Sequence, residues 1–411
     1  MTRARLRPTR LLPALAVVLL LALLVALLPC SGDGDEKGDA PRAQEAVSSA
    51  KEKAPGAEVT VLDALLRVLG PPRESDAVER FLARAPVERK VAQLFAVGFS
   101  GQDRDAPILR NLRRRDWGGL VLQDVNYLSS FQMAAFIEGL RANARIGRDV
   151  PPLIAATQEG GERSAFPDLP PRPQGSVASK GVPAVGREAR AAGKALRALG
   201  VTMTLAPSAD VAAEGGPFEK RAFGVDEAFV AEATRAAVQG YLKAKVIPAV
   251  GSFPGAGAAS QDPDVGTGPV GLSLPELRQR DVRPFRAVAR LAPVVRMSNA
   301  IYAAFDGVTP ATLLPEAVRL LRADLGFRGV VMSADLVGTT GATGGTVPQA
   351  ALGALKAGAD LLYIPGSAED QEEAYQAVLA AVRTGRISLA RLNDSLRRVL
   401  QLKRSYGLLP S

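Results

Sequence analysis

Two aspartates behind a glycine-rich stretch are the residues whose type and spacing first point to chemistry. Asp262 and Asp264, separated by one proline, follow the run GSFPGAG at residues 251–257. Paired carboxylates act as general acid and base when their surroundings move their pKa values apart, and a neighbouring carboxylate raises the pKa of an aspartate. The same pattern is typical of a solvated turn. The spacing therefore predicts either a proton donor at Asp264 or a surface turn.

Histidine is absent from all 411 residues, and Cys30 is the only cysteine. The usual neutral-pH proton shuttle and the usual zinc ligands are thereby excluded. Neither a phosphate-binding loop nor a dinucleotide fingerprint occurs, so we predict no metal and no cofactor. The net charge of +9 is partly carried by N-terminal arginines, and no basic run is interleaved with aromatic residues. We therefore predict no nucleic-acid partner.

The first thirty residues have the composition of an export or anchoring segment. An apolar run over residues 11–29 ends at Cys30 and is preceded by four basic residues, Arg3, Arg5, Arg7 and Arg10. This arrangement resembles a bacterial lipoprotein signal, with Cys30 as the lipidated residue. The alternative is an uncleaved single-span anchor. Both predict a chain that is exported and tethered to the outer face of the bacterial cytoplasmic membrane.

The remainder divides into a polar segment and one large domain. The polar composition of residues 31–80 predicts a flexible tether with a short helix. The length of residues 81–411 is consistent with a single domain. Eight short apolar runs lie there at residues 93–99, 118–123, 152–158, 201–207, 246–252, 293–299, 329–335 and 360–366. They alternate with helical patterns, one of which covers residues 273–291. Eight such units predict an α/β fold, a (β/α)8 TIM-type barrel with its active site at the carboxyl ends of the strands. A doubly wound open sheet is the alternative.

The strand ends, taken in order, resemble a known family. The segments are VERKVAQLFAVGF, WGGLVLQDVN, PPLIAATQEGG, LAPSADV, KRAFGVD, FPGAG, LLRADLGFRGVVMSADL and ALKAGADLLYIP. Over about residues 85–409 they are similar to the catalytic domain of glycoside hydrolase family 3, most closely to bacterial β-N-acetylhexosaminidases. The resemblance implies a barrel whose relatives hydrolyse β-linked N-acetylglucosamine through a carboxylate nucleophile and a His–Asp acid/base pair.

The nucleophile position implied by the resemblance does not hold a carboxylate. The family's S-D-D-L strand end reads SADL here, so Ala334 stands where the nucleophile is expected and Asp335 follows it. Because neighbouring residues on a strand point to opposite sides, we expect Asp335 to have a structural role such as capping. The family's acid/base histidine corresponds to Asp264, and its aspartate is kept as Asp262.

The positions that hold the sugar are also changed. The family's K-H-F-P-G-H-G stretch places Gly251 and Ser252 at its lysine and first histidine. Two further sugar-binding positions hold Thr157 and Asn299, whereas Glu159 and Arg221 match the family; a salt bridge is the alternative role for Arg221. The predicted substrate-binding residues are Arg221, Glu159, Thr157, Ser252 and Asn299.

Three functions remain open from the sequence. The first is a non-catalytic barrel that binds an amino-sugar glycan, a peptidoglycan fragment or a protein partner. The second is an active O-glycosyl hydrolase on β-N-acetylglucosaminides that uses relocated carboxylates, Asp264 and Asp335. The third, an unrelated barrel enzyme, has the least support because no cofactor motif is present.

Overall fold

The computed structural model describes residues 76–145 and 150–409. The predicted leader at residues 1–30, the lipidation site Cys30 and the tether up to residue 75 lie outside these residues. The first described helix begins at Ala77, slightly before the predicted start of the domain at residue 81. Within the described part, no helix is long and apolar enough to cross a membrane.

Eight parallel strands close into a barrel. In chain order the strands are β1 Phe95–Gly98, β2 Gly119–Leu122, β3 Leu153–Ala156, β4 Gln158–Gly160, β5 Arg163–Ser164, β6 Met203–Thr204, β7 Ile247–Phe253, β8 Pro269–Val270, β9 Val294–Met297, β10 Ile301–Tyr302, β11 Val330–Asp335 and β12 Leu361–Ile364. The barrel order is β1-β12-β11-β9-β7-β6-β3-β2, and β1 pairs with both β2 and β12. Each predicted apolar run coincides with one barrel strand, although β7 extends one residue past its run to Phe253. The (β/α)8 prediction is therefore confirmed, and the open sheet was the wrong alternative.

Two small strand pairs were not predicted. An antiparallel hairpin, β4 with β5, directly follows β3 at the carboxyl end of the barrel. A parallel pair, β8 with β10, joins the loops that follow β7 and β9. Both pairs belong to the loops over the barrel mouth, and the hairpin fixes the position of two charged residues described below.

Helices surround the barrel. They are α1 Ala77–Arg84, α2 Val87–Ala92, α3 Pro107–Arg114, α4 Ser130–Arg145, α5 Gln174–Ala178, α6 Val182–Leu199, α7 Glu227–Lys243, α8 Leu274–Gln279, α9 Arg283–Val288, α10 Pro315–Arg319, α11 Leu336–Thr343, α12 Val347–Ala357, α13 Ala368–Arg383 and α14 Leu389–Ser405. Their ends follow local chemistry, since Asp226 caps α7 through the Phe229 amide and Gly200 ends α6 at a φ of 96°. The predicted helix at residues 273–291 is two helices because Pro284 begins a new one.

The barrel interior is packed with alternate side chains of the strands. Its apolar cluster includes Leu153, Met203, Ile247, Val294, Met332, Leu361 and Tyr363. Side chains two residues apart on a strand point to the same side. Arg296, two residues beyond Val294 on β9, therefore enters the barrel interior near its carboxyl end. This places a cation directly beneath the expected site.

Candidate functional site

Charged side chains from five different segments meet at the carboxyl ends of the strands. They are Glu159 on β4, Arg163 on β5, Arg221 in the loop before α7, Asp262 and Asp264 in the loop after β7, and Arg296 on β9. The parallel barrel brings them together, because the carboxyl ends of all its strands face the same end of the molecule. We call these six residues the mouth network.

The inner half of the mouth network is centred on Glu159. Its Oε2 accepts a hydrogen bond from Arg221 Nη2 at 3.0 Å, and its Oε1 accepts one from Arg296 Nη2 at 3.2 Å. The exposed fractions of the Glu159, Arg221 and Arg296 side chains are only 4%, 12% and 8%. Charges this deeply buried are tolerated only when they are paired. Glu159 is therefore the residue that makes the two buried arginines possible.

The outer half is formed by the loop aspartates. Arg163 donates from Nη2 to Asp262 and from Nη1 to Asp264, each at 2.7 Å. Asp262 also accepts from Arg221 Nη1 at 3.4 Å, which connects the two halves. Ion pairs thus run without a break from Arg296 through Glu159, Arg221, Asp262 and Arg163 to Asp264. The salt-bridge role that was the alternative for Arg221 is present in the structure.

The pKa of Asp264 is shifted in the direction opposite to the one expected from its neighbouring carboxylate. Burial would raise the pKa of Asp264, but the positive charges of Arg296, Arg163 and Arg221 outweigh burial and lower it. The expectation of a raised pKa was wrong because the sequence did not reveal three arginines around this carboxyl. Asp264 is consequently held in its ionised form.

Asp335 caps the helix that follows β11. Its Oδ1 accepts from the amides of Val337 at 2.8 Å and Gly338 at 3.0 Å, which confirms the predicted capping role. Burial raises the pKa of Asp335, and the charge of Asp264 adds to this shift, although the two amide hydrogen bonds oppose it.

Asp335 does not follow the alternation of side chains expected along β11, because this strand has a bulge. Met332 pairs with Leu361, but Asp335 pairs with Tyr363, so one extra residue of β11 lies between the two pairs. Leu361 and Tyr363 both belong to the apolar cluster inside the barrel. Asp335 therefore lies on the inward side of the sheet rather than on the side opposite to the site.

The remaining predicted site residues are buried or half-buried, and the Asn299 side chain is held by hydrogen bonds within the fold. Asn299 is buried, donates from Nδ2 to the Asp335 carbonyl at 2.9 Å, and accepts from Thr339 Oγ1 at 2.7 Å. Ala334 is buried and presents only a methyl group. Ser252 is buried on β7 and Thr157 is half-buried just after β3.

Sequence reasoning missed Arg163 and Arg296. A Cβ atom added at Gly251 would lie 2.9 Å from Arg296 Nη2, so the guanidinium fills the space beside this glycine. Gly251 is the position that the resemblance assigns to a lysine, and Arg296 now brings a cation to it from β9. The available signal was an arginine in the middle of the apolar run PVVRMSN.

No metal centre is found in the part of the chain that the structure describes. Among residues 76–145 and 150–409, no three histidine, cysteine, aspartate or glutamate side chains are grouped so that they could hold a metal ion. The acids of the mouth network are bound to arginines instead, and the arrangement offers paired charges and hydrogen-bond donors as its chemistry.

The chain is similar to proteins of one family along most of its length. The profile of the "Glycosyl hydrolase family 3 N terminal domain" matches residues 86–402. A protein named Beta-hexosaminidase from Stenotrophomonas maltophilia is 31% identical over 293 residues, which cover 66% of this chain and 83% of that protein. Beta-hexosaminidase LpqI from Mycobacterium tuberculosis is 29% identical over 330 residues, covering 76% of this chain and 82% of that protein.

A solved structure gives the same result. The glycoside hydrolase family 3 beta-N-acetylglucosaminidase from Paenibacillus sp. matches with a TM-score of 0.75 and 30% identity, covering 79% of this chain. This chain spans 63% of the length of the Paenibacillus protein. The barrel, the family profile and the relatives agree, and the chain therefore belongs to glycosyl hydrolase family 3.

Proposed function

We propose that this chain is a non-catalytic member of its family that binds an amino-sugar glycan at the barrel mouth. The observation that carries the proposal is the mouth network, in which arginines of the chain itself bind the carboxylates on which chemistry would depend. We further propose that the chain is exported and held at the outer face of a bacterial cytoplasmic membrane by its N-terminus.

The positions needed for double displacement hold the wrong groups. A retaining glycosidase needs a carboxylate that attacks the anomeric carbon and a second group that donates a proton to the leaving oxygen. Ala334 at the nucleophile position can do neither. In the alternative with relocated carboxylates, Asp264 would donate the proton and Asp335 would attack. The pKa of Asp264 is lowered and that of Asp335 is raised, the reverse of what these roles require.

Exchanging the two roles does not restore a mechanism. With Asp335 as proton donor and Asp264 as nucleophile the pKa directions would fit, but the charge of Asp264 Oδ2 is engaged by Arg163 at 2.7 Å. On Asp335, Oδ1 is used for two backbone amides. As a nucleophile, Asp264 would be weakened by its ion pair with Arg163, and only Oδ2 of Asp335 would remain to carry a proton.

Binding is supported by the retained scaffold and by polar donors at the mouth. Glu159 and Arg221 remain at positions that the resemblance assigns to the site, and Arg163 and Arg296 add two guanidinium groups. The name beta-hexosaminidase carried by the relatives supports an amino sugar as the ligand class. A protein that binds the same face is the other candidate partner.

The test combines an activity assay with a binding assay. The full chain, purified in detergent, would be given a fluorogenic β-N-acetylglucosaminide beside its Asp264→Asn and Asp335→Asn variants, and titrated calorimetrically with tetra-N-acetylchitotetraose. We expect no turnover above the variants, together with measurable binding of the oligosaccharide. Turnover that disappears in either variant would show an active hydrolase, and absence of binding would favour a protein partner.

The tether is tested separately. Membrane and soluble fractions of a bacterium that expresses the chain would be compared with the Cys30→Ser variant, and the N-terminal fragment would be analysed by mass spectrometry. A lipid mass on Cys30 supports the lipoprotein, and an unmodified full-length N-terminus in the membrane fraction supports the anchor. Recovery of the wild-type chain only in the soluble fraction would contradict both.

A further inference from the structure

The mouth network has an exposed layer and a buried layer. Arg163, Asp262 and Asp264 keep 30%, 24% and 21% of their side-chain surface exposed, whereas Glu159 and Arg296 keep 4% and 8%. Solvent, and therefore a dissolved ligand, reaches the outer layer directly. The loop aspartates are the groups that such a ligand would meet first.

The two loop aspartates occupy the donors of Arg163 in the way that a bound ligand would. Its Nη1 and Nη2 atoms each donate to a carboxylate at 2.7 Å, and both carboxylates belong to the same short segment after β7. A guanidinium fork matches the two oxygens of one carboxylate. A single carboxylate from outside could thus satisfy the donors that now bind two aspartates.

The buried layer contains a donor that its present neighbours do not satisfy. Arg296 Nε is buried and makes no hydrogen bond to any acceptor in residues 76–145 or 150–409. Arg296 also has only one carboxylate partner in the described chain, Glu159 at 3.2 Å. An unsatisfied buried donor on a charged group is costly. Arg296 therefore keeps one buried donor that a further acceptor could satisfy.

We propose that Arg163, Arg221 and Arg296 bind the carboxylate of an acidic sugar residue, and that Asp262 and Asp264 occupy this site until the ligand displaces them. The inference rests on the proposed function and specifies its ligand: a glycan in which an amino sugar is joined to a sugar acid. When the loop aspartates are displaced, Arg163 loses both of its carboxylate partners, and its positive charge at the mouth is left unpaired. The aspartates thus act as an internal competitor that keeps the affinity modest.

Two matched oligosaccharides test the proposal on the full chain in detergent. One is a tetrasaccharide of alternating glucuronate and N-acetylglucosamine, and the other is tetra-N-acetylchitotetraose, which has the same length and no charge. Tetraglutamate supplies carboxylates without a sugar. Calorimetry at low and high salt is expected to show tighter binding of the acidic tetrasaccharide, with a difference that shrinks as salt screens the charges.

The variants test the internal competition. Asp262→Asn combined with Asp264→Asn is expected to raise affinity for the acidic tetrasaccharide about tenfold. The ligand then no longer has to break two half-buried ion pairs with Arg163, which together are worth about that factor. Arg163→Gln is expected to lower that affinity about tenfold, and Arg163→Lys, which keeps the charge but loses the fork, to fall between. Asp306→Asn, a change in another exposed loop at the same end, serves as the matched control and should leave affinity unchanged.

The outcomes separate this inference from the proposed function. Equal binding of both tetrasaccharides would overturn the inference and leave the glycan-binding function intact. Binding of neither would overturn both. An unchanged or reduced affinity in the double asparagine variant would show that Asp262 and Asp264 do not compete with the ligand. Tetraglutamate binding as tight as that of the acidic tetrasaccharide would show a general anion site instead of a sugar-acid site.

Discussion

Replacing Glu159 by glutamine is the sharpest test of the mouth network. The substitution keeps the shape of the side chain and removes the negative charge shared by Arg221 and Arg296. Removing one partner of a buried ion pair costs about 3–5 kcal/mol, because the other charge is left buried and uncompensated. The variant should therefore unfold well below the wild type.

The structure places the expected cost near the lower end of that range. Arg221 retains Asp262 at 3.4 Å, so its charge is still partly balanced. Arg296, which is 8% exposed, retains no carboxylate within salt-bridge distance among the described residues. We expect a loss of about 3 kcal/mol, which lowers the melting temperature of a domain of about 330 residues by roughly 4 °C.

Differential scanning calorimetry or urea unfolding would measure the loss, with Glu162→Gln as the control. Glu162 is an exposed neighbour in the same hairpin, and its change to glutamine should shift stability by less than about 0.5 kcal/mol. Adding Arg296→Met to Glu159→Gln should recover about 2 kcal/mol, since the unpaired charge is then gone. A Glu159→Gln protein as stable as the Glu162→Gln protein would refute the argument that this pair holds the mouth together.

Three further predictions follow from other sites. Gly251→Ala should lower the free energy of unfolding in urea by about 1–3 kcal/mol, because the added Cβ would clash with Arg296. Gly139→Ala, in the middle of α4 with no neighbour near the added Cβ, should raise it by about 0.5–1 kcal/mol. Similar values for both variants would contradict the predicted clash. Burial lowers the pKa of Lys403 to about 7 in the folded chain, against 10.5 in the unfolded chain. Between about pH 7 and pH 10 the unfolded chain therefore binds more protons, and the free energy of unfolding should rise with pH. Lys403→Met should abolish this rise, and an unchanged dependence of stability on pH would assign the rise to other groups. Ala334→Asp should raise hydrolysis of a fluorogenic β-N-acetylglucosaminide, whose leaving group needs little protonation, at least about tenfold above wild type. An unchanged rate would show that the mouth no longer admits the sugar.

The fold was predictable because its signals are local. Each barrel strand is a short apolar run that a helix follows, and eight such units imply closure whatever happens at the mouth. The splitting of the helix at residues 273–291 was also visible in principle, since Pro284 marks a new first turn. These features depend on neighbours within a few positions, and the sequence displays them directly.

The arrangement of the site was less predictable because it depends on contacts between distant segments. Arg163 and Asp264 are 101 positions apart, and Glu159 and Arg296 are 137 apart. Residue periodicity does not indicate contacts over such distances in sequence. The sequence therefore revealed the carboxylates of Asp262 and Asp264 but not the arginines that lower the pKa of Asp264. The inward position of Asp335 was missed for a different reason, since the bulge that breaks the alternation in β11 has no clear residue signature.

The ion pair between Glu159 and Arg296 also affects how the barrel can come apart. Glu159 lies just beyond β3 and Arg296 lies in β9, and β6 and β7 stand between these two strands in the barrel order. Backbone hydrogen bonds of the sheet join only adjacent strands. A barrel held by these bonds alone could therefore open between any two neighbouring strands. Because this ion pair connects β9 to the end of β3, we expect the four strands β3, β6, β7 and β9 to lose their protection from amide exchange together, as one cooperative unit. The ion pair at the proposed binding surface would thereby also set the size of the smallest part of the barrel that can open.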